Sequence, residues 1–339
     1  MSETPSGGTT PRTPQPPQTD HRTALAEQSS GPASPRHGER PRVGWVGAGR
    51  MGSVLVTRLL QARYDVAVYN RTRSKAAALG EAGATVAADV ASLAGRDLVF
   101  VMVSSSPDFA AVAADLIASG PPGILIDCST VSAEVSARVR ADAEAAGTAL
   151  LAAPVSGNPG AVAAGNATLV VSGPADAFSC AEPVLQALGR SVTYVGDGEV
   201  ARLVKLCHNM FLGVVIQSLA EITVLAGKAG VSRTAFLEFL NSSVLGSTFT
   251  SYKTPALTQL DFNPSFTTAL LRKDFDLGLA AARELEVPMP VAAMAYQLIQ
   301  AAIGAGHAEE DFAALIVEQA RAAGITLRPE GGQVSAQRT

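Results

Sequence analysis

Three glycines with fixed spacing carry the clearest chemistry in this chain. Residues 42–53 run as a short apolar strand into Gly47-Ala48-Gly49-Arg50-Met51-Gly52 and then into a helical pattern. In that context a G-x-G-x-x-G turn presses a pyrophosphate against main-chain N–H groups at a helix N-terminus. Gly47 permits the tight turn, Gly49 clears the approach of the phosphates, and Gly52 lets helix and strand pack closely. The motif predicts dinucleotide binding because a strand precedes it and a helix follows.

The next strand selects the dinucleotide. A site that prefers NAD usually ends its second strand on Asp or Glu, which holds the ribose hydroxyls. Here Asn70, Arg71 and Thr72 stand at that place, 23 residues after Gly47 in the case of Asn70. They offer amide, guanidinium and hydroxyl donors, and no acid repels a 2′-phosphate. NADP is expected, with NAD as the alternative.

Three further groups are candidates for chemistry on a substrate. Lys205 and Asn209 lie four apart in a long apolar stretch and so share one helix face. A lysine there either meets a polar environment or snorkels to the surface. Asp127-Cys-Ser129-Thr130 closes one strand at its carboxyl end, where ligands of open α/β sheets gather. Pro154-Val-Ser156-Gly157-Asn158 follows the next strand and supplies hydroxyl, backbone and amide donors. Their joint position at strand ends on one sheet edge gives them weight.

The elements that must hold these groups read as a doubly wound α/β fold. Apolar runs of strand length occur at Val43–Val46, Val66–Tyr69, Leu98–Val103, Gly123–Asp127 and Ala149–Pro154. Helical stretches at Met51–Ala62, Ser74–Gly80, Asp108–Ser119 and Ala133–Ala146 separate them, which implies a mainly parallel sheet. Ala167–Ser172 and Val192–Val195 flank a helix at Ala175–Leu188 and are expected to extend that sheet. From Glu199 to about Ala229 the pattern becomes one helix, apolar on most faces and about 45 Å long. Such a helix is expected at the centre of a second, all-helical part. Further helices are expected at Ser232–Leu240, Leu270–Leu285, Val291–Ile303 and Glu309–Ala323. The polar stretch Ser247–Lys253 is expected to shape the far wall of a cleft. The domains are read as a disordered tail at 1–40, a Rossmann-type nucleotide-binding domain at 41–197, a helical substrate and dimerisation domain at 198–327, and a second tail at 328–339. Residues 1–40 hold seven of the twenty prolines and almost no bulky apolar side chains, too little to offset their ordering entropy.

Composition narrows the partners. With 26 basic and 30 acidic residues the net charge is −4, which argues against nucleic acid or an anionic membrane. No apolar run reaches the ~18 residues of a membrane span without a Gly or polar interruption. Cys128, Cys180 and Cys207 lack paired spacing and read as reduced, structural thiols of a cytoplasmic protein. No metal site is indicated.

In order and spacing, Gly47–Gly52, Asp127–Thr130, Ala153-Pro-Val-Ser-Gly157, Lys205-Leu-Cys-His-Asn209 and Lys273-Asp274 resemble the β-hydroxyacid dehydrogenases. That is the family of 3-hydroxyisobutyrate dehydrogenase and tartronate semialdehyde reductase, and the resemblance covers about residues 42–325. It implies that Lys205 is the catalytic lysine, holding and protonating the carbonyl oxygen, and that Asn209 holds the substrate or the lysine. An ammonium in a dry cleft stabilises the developing alkoxide and supplies its proton. Ser156 and Gly157, with Ser129 or Thr130, would contact the substrate carboxylate or the nicotinamide end. Val103, Ser104 and Asp108 would line the cofactor, Lys273 would close over it, and Asp274 would orient neighbouring helices.

The substrate implied is a small carboxylate-bearing molecule, and the assembly a homodimer or homotetramer. This chain departs from the family pattern at Ala152, where Asp is usual, at Asn158-Pro159, which replaces a second Gly, and at His208, which replaces Asn. His208, a lone histidine on an apolar helix, is read as structural. Imine reductases share the fold but generally carry Asp or Tyr in place of the lysine. C=N reduction is therefore the alternative activity, and a noncatalytic NADP-binding protein a more remote one.

Overall fold

The computed structural model describes residues 40–330, so the expected disorder of residues 1–39 and 331–339 lies outside it. In chain order the first part contains β1 (Val43–Val46), α1 (Arg50–Gln61), β2 (Val66–Tyr69), α2 (Arg73–Glu81), β3 (Thr85–Val86), β4 (Leu98–Val101), α3 (Ser106–Ser119), β5 (Ile124–Asp127), α4 (Ala133–Ala145) and β6 (Ala149–Ala152). It continues through β7 (Val155–Ser156), α5 (Pro159–Ala163), β8 (Thr168–Val171), α6 (Ala175–Leu188) and β9 (Ser191–Tyr194). The first six strands form one parallel sheet in the order β3-β2-β1-β4-β5-β6. The order reverses between β1 and β4, which opens a crevice at the strands' carboxyl ends.

Register makes those ends coincide. Val46 pairs with both Tyr69 and Val101, Val101 with Asp127, and Asp127 with Ala152. The turns that follow are therefore brought to one edge by the sheet. Helices cover both faces. Trp45, Leu55, Phe100, Ile126 and Leu185 pack on one side, and Val99, Phe109, Leu116 and Leu125 on the other.

β8 and β9 do not extend the main sheet, contrary to the expectation from their spacing. They form a separate three-stranded sheet with β7, antiparallel between β7 and β8 and parallel between β8 and β9. The chain leaves β6 through Ala153-Pro154, and proline has no N–H with which to continue a ladder. Among the described residues, an isolated Ala152–Ser172 bridge joins the two sheets.

The second part begins with α7 (Val200–Lys228), followed by α8 (Arg233–Ser242), α9 (Thr248–Gln259), α10 (Thr268–Glu284), α11 (Pro290–Gly304) and α12 (Leu315–Ala322). α7 is long and apolar enough to cross a bilayer by length and composition. Here α8, α10, α11 and α12 pack around it. Its core residues Met210, Ile216 and Ala220 meet Leu271, Phe275, Ile299 and Ile316. Gly213 admits the Phe275 ring and Gly278 admits Met210, so α7 and α10 approach closely.

Other expectations are corrected locally. α9 forms although Thr and Pro255 give it little intrinsic helix preference. A Ser247–Thr250 capping box starts it, and the Thr254 and Thr258 hydroxyls donate to carbonyls one turn back. The last helix starts at Leu315 rather than Glu309, because Asp311 is drawn into a bridge with Thr267 and caps the Phe312–Ala314 turn. The assignment of 328–330 to a disordered tail fails. Glu330 accepts from the backbone of Arg233 and Thr234 and from the Thr234 hydroxyl. Arg40 also packs, with its guanidinium 5.4 Å from the Tyr64 ring centre. All three cysteines are free thiols, but only Cys128 is buried, so a structural role fits that one alone.

Candidate active site

Gly47 has φ +104°, and a Cβ on it would overlap the Met102 carbonyl; one on Gly52 would overlap the carbonyl of Gly47. A Cβ on Gly49 would meet nothing within 4 Å. The turn is thus closed on the protein side and open where α1 presents its unpaired N–H groups. No acid occupies the first turn of α1. Its shape and charge fit a dinucleotide pyrophosphate.

Asn70 supports this turn from inside. Its Oδ1 accepts from the Ala48 N–H at 2.8 Å, and its Nδ2 donates to the Thr72 carbonyl at 2.9 Å. The oxygen is therefore spent on the turn, while the second Nδ2 hydrogen is left for a ligand. Arg71 is an exposed cation there, with 86% of its side chain accessible and a loose 3.4 Å pairing to Asp108, and Arg73 and Lys75 just beyond are exposed too. Asp108 also accepts from the Ser105 hydroxyl at the start of α3 and does not line the central cavity.

A cavity of about 940 Å³ lies between the strand ends and the helical part. Arg50, Met51, Val103, Ser104, Ser129 and Thr130 reach it from the strand ends and α1, and Ser156, Gly157 and Asn158 from β7 and its turn. Lys205, Asn209 and Lys273 reach it from the helices. These candidates, from Arg50 to Lys273, are thus brought onto one cavity, whereas Asn70, Arg71, Thr72 and Asp108 lie off it.

Charged side chains fix this edge. Buried Asp127 pairs with Arg202 at 2.8 Å, Arg202 with Glu199 at 2.7 Å, and Glu199 with Arg140 at 2.7 Å. Arg202 also donates to the Ser129 carbonyl at 3.2 Å, while the Ser129 hydroxyl accepts from the Val103 N–H at 2.9 Å. Sequence reading passed over Arg202. Its signal was an arginine in an apolar helix, three residues before Lys205, with an acid waiting at a strand end.

Lys205 is half-buried on the cavity wall. Burial lowers its ammonium to about 8, and the neighbouring Asp274 carboxylate opposes that shift. Asn209 is buried and already engaged: its Nδ2 donates to Asp274 Oδ2 at 2.5 Å, and its Oδ1 faces His208 Nδ1 at 2.9 Å. Asn209 thus positions its neighbours. Lys273 donates to the Thr130 carbonyl at 3.0 Å and Arg50 to that of Pro264 at 3.1 Å, so both join the two walls.

Two placements differ from expectation. The Asn158 side chain accepts from the Ala161 N–H and caps α5, which leaves its oxygen to the protein. His208 is not a core histidine. It is accessible on the cavity wall, its Nε2 3.2 Å from the Ser156 hydroxyl. The far wall is Thr248, Phe249 and Tyr252 of α9, as the polarity of that stretch suggested, but Lys253 points away from it.

A parallel sheet with a glycine turn at its switch point, joined to a helical bundle by a lysine-bearing cleft, defines a two-part nicotinamide-dinucleotide oxidoreductase. Two family models match the chain: the NAD-binding domain of 6-phosphogluconate dehydrogenase over residues 42–196, and the NAD-binding region of NADP-dependent 3-hydroxyisobutyrate dehydrogenase over 196–318. The Pseudomonas aeruginosa 3-hydroxyisobutyrate dehydrogenase is 31% identical, over 80% of this chain and 96% of its own. The NAD-dependent L-serine dehydrogenase of the same organism is 30% identical, over 80% and 95%. The solved Mycobacterium tuberculosis 3-hydroxyisobutyrate dehydrogenase with L-serine superposes with a TM-score of 0.75 at 27% identity, over 83% of this chain and 99% of its own. The chain belongs to the β-hydroxyacid dehydrogenase family of NAD(P)-dependent oxidoreductases.

Proposed function

We propose that this protein interconverts a small β-hydroxyacid and its semialdehyde or keto form, with NADP as the preferred cofactor and Lys205 as the proton-transferring group. The observation that carries this reading is Lys205, with its ammonium lowered to about 8, on the cavity that the strand-end turns also line. A bound nicotinamide supplies hydride chemistry to the substrate carbon. The residues that would hold the dinucleotide are the Gly47–Gly52 turn with Arg71 and Thr72 at one end, and Val103, Ser104 and Thr130 at the other.

Lys205 holds the substrate oxygen and donates its Nζ proton as negative charge develops there; in the oxidative direction the neutral amine takes the proton back. Asp274 stabilises the ammonium form, and Asn209 holds Asp274 in place. The Gly157 backbone offers a hydrogen bond to the carboxylate, as does Ser156 once its hydrogen is turned into the cavity, and the apolar faces of Phe249 and Leu212 limit water. NADP preference rests on Arg71, Thr72 and the remaining Asn70 N–H, and on the absence of an acid.

The names of the relatives point to small carboxylate-bearing substrates of varied size, from serine and 3-hydroxyisobutyrate to 2-(hydroxymethyl)glutarate. A homodimer or homotetramer suits the apolar surface of α7, where Phe211 and Leu225 are 69% and 70% exposed. A spectrophotometric NADPH/NADP screen of semialdehydes, hydroxyacids and cyclic imines tests the assignment. Hydroxyacid turnover that collapses in Lys205→Ala, with NADPH binding retained, is the expected result. Imine turnover without hydroxyacid activity would overturn it.

A further inference from the structure

His208 and Ser156 belong to a hydrogen-bonded chain whose direction is set from its buried end. The Asp274 carboxylate accepts, so the group at 2.5 Å from it is the Asn209 amide nitrogen. The Asn209 oxygen therefore faces His208 Nδ1 at 2.9 Å, and because that oxygen can only accept, Nδ1 carries the hydrogen. In a neutral imidazole the other nitrogen is then bare. His208 Nε2 must accept from the Ser156 hydroxyl at 3.2 Å. Ser156 has one hydrogen, and it points at the histidine. Toward the cavity its oxygen offers only lone pairs, which repel a carboxylate.

We propose that His208 is a positioning residue that couples capture of a substrate carboxylate at Ser156 to the uptake of one proton. This rests on the hydroxyacid reading above, since it requires a carboxylate to arrive. A solvent proton adds to Nε2, and the His208 N–H then donates to Ser156 Oγ. The Ser156 hydrogen turns into the cavity and meets the carboxylate oxygen. One proton is taken up and no other bond changes.

The surroundings suit such a switch. Burial holds the free imidazole below its ordinary range, the hydrogen bond to Asn209 opposes this, and Lys205 one turn back lowers it further. Across from it α10 contributes Asp274 and Lys273, and β7 the uncharged Ser156. Arg50 of α1 and Arg190, just before β9, are the other charged groups on the cavity wall. An incoming carboxylate adds the opposite charge and favours the imidazolium. Affinity therefore rises as pH falls, by up to about tenfold per unit between the imidazole's values in the bound and free protein, and levels off below the lower one.

Nitrogen NMR of the NADPH-bound protein, with His208 assigned by its loss in His208→Asn, tests the starting state. The Nδ1-protonated neutral ring is expected; an Nε2-protonated ring overturns the proposal. Calorimetric titration with 3-hydroxypropionate, which cannot be oxidised while NADPH fills the site, then counts protons in buffers of different ionisation heat. Uptake approaching one proton per site is expected near neutral pH, with none in His208→Asn or Ser156→Ala. Binding without uptake, or uptake that persists in His208→Asn, overturns it. If the coupling is found but no hydroxyacid is ever turned over, the proposed activity falls and the coupling stands. If hydroxyacids turn over without uptake, the coupling alone falls.

Discussion

Two lysines on the helical side of this protein are held in opposite ways. Lys205 stands half-buried on α7, has only the field of Asp274 to offset its burial among the described residues, and is lowered to about 8. Lys253 on α9 is almost fully buried, 2.5 Å from Asp311 and 4.0 Å from the Phe312 ring centre. Asp311 is itself satisfied by the Ser265 and Ala313 backbone. One ammonium is desolvated and left available; the other is desolvated and fully matched. Burial alone therefore does not mark a reactive lysine. The marker is burial without a matching acceptor, on a cavity a ligand can enter.

The largest separation between the two should appear on truncation. Lys205→Ala should lower kcat by about 10²–10⁴-fold, the range for a lost general acid–base, while NADPH binding measured by fluorescence stays near wild type. Near-normal turnover would remove Lys205 from the mechanism. Lys253→Ala should instead leave Asp311 buried without its counter-ion and cost about 3–5 kcal/mol, read as a lower denaturant midpoint. A midpoint within about 0.5 kcal/mol of wild type would refute that contrast.

Stability against pH sharpens the comparison. Lys205 is lower in the folded chain than its ordinary 10.5, so between about 8 and 10.5 the unfolded chain binds more protons and its contribution to stability rises with pH. Lys205→Met should accordingly raise Tm at pH 7, with a gain that shrinks toward pH 10. Lys253→Met should show no such gain. Catalysis follows the same titration: carbonyl reduction should fall as pH rises through about 8, and hydroxyacid oxidation should rise over that interval. Asp274→Asn removes the charge that raises the ammonium, and should move both limbs to lower pH.

A smaller effect is expected far from both lysines. Arg71→Ala should reduce NADPH efficiency by about tenfold, the scale of one charge-assisted hydrogen bond, with NADH nearly unchanged. Equal losses with the two cofactors would return the choice of dinucleotide to other residues.

Local rules made some features legible in sequence and hid others. The glycine turn was legible because Gly47 and Gly52 are demanded by backbone collisions that only glycine avoids. α7 was legible because its apolar run outlasts any strand. The separate sheet of β7, β8 and β9 was not, because period and length are the same for a strand in either sheet and the break depends on Pro154. α9 was hidden by its Thr and Pro255, and its stability comes from capping and packing. Asn70 and Arg71 sit side by side and look equivalent as donors, yet the first also braces the turn through Ala48 and Thr72. The role of Arg202 needed the pairing of α7 with β5, which no local pattern carries.

The Asp127–Arg202–Glu199–Arg140 ion chain also sets a lever. α7 rises about 1.5 Å per residue, so Lys205 is roughly 4.5 Å from the Arg202 anchor and Lys228 roughly 39 Å. A tilt of one degree about that anchor displaces the lysine's backbone by about 0.1 Å and the far end by about 0.7 Å. The proposed proton-transferring group thus lies close to the anchor, where a given tilt of α7 moves it least, so the ion chain sets the alignment of Lys205 with the sheet edge.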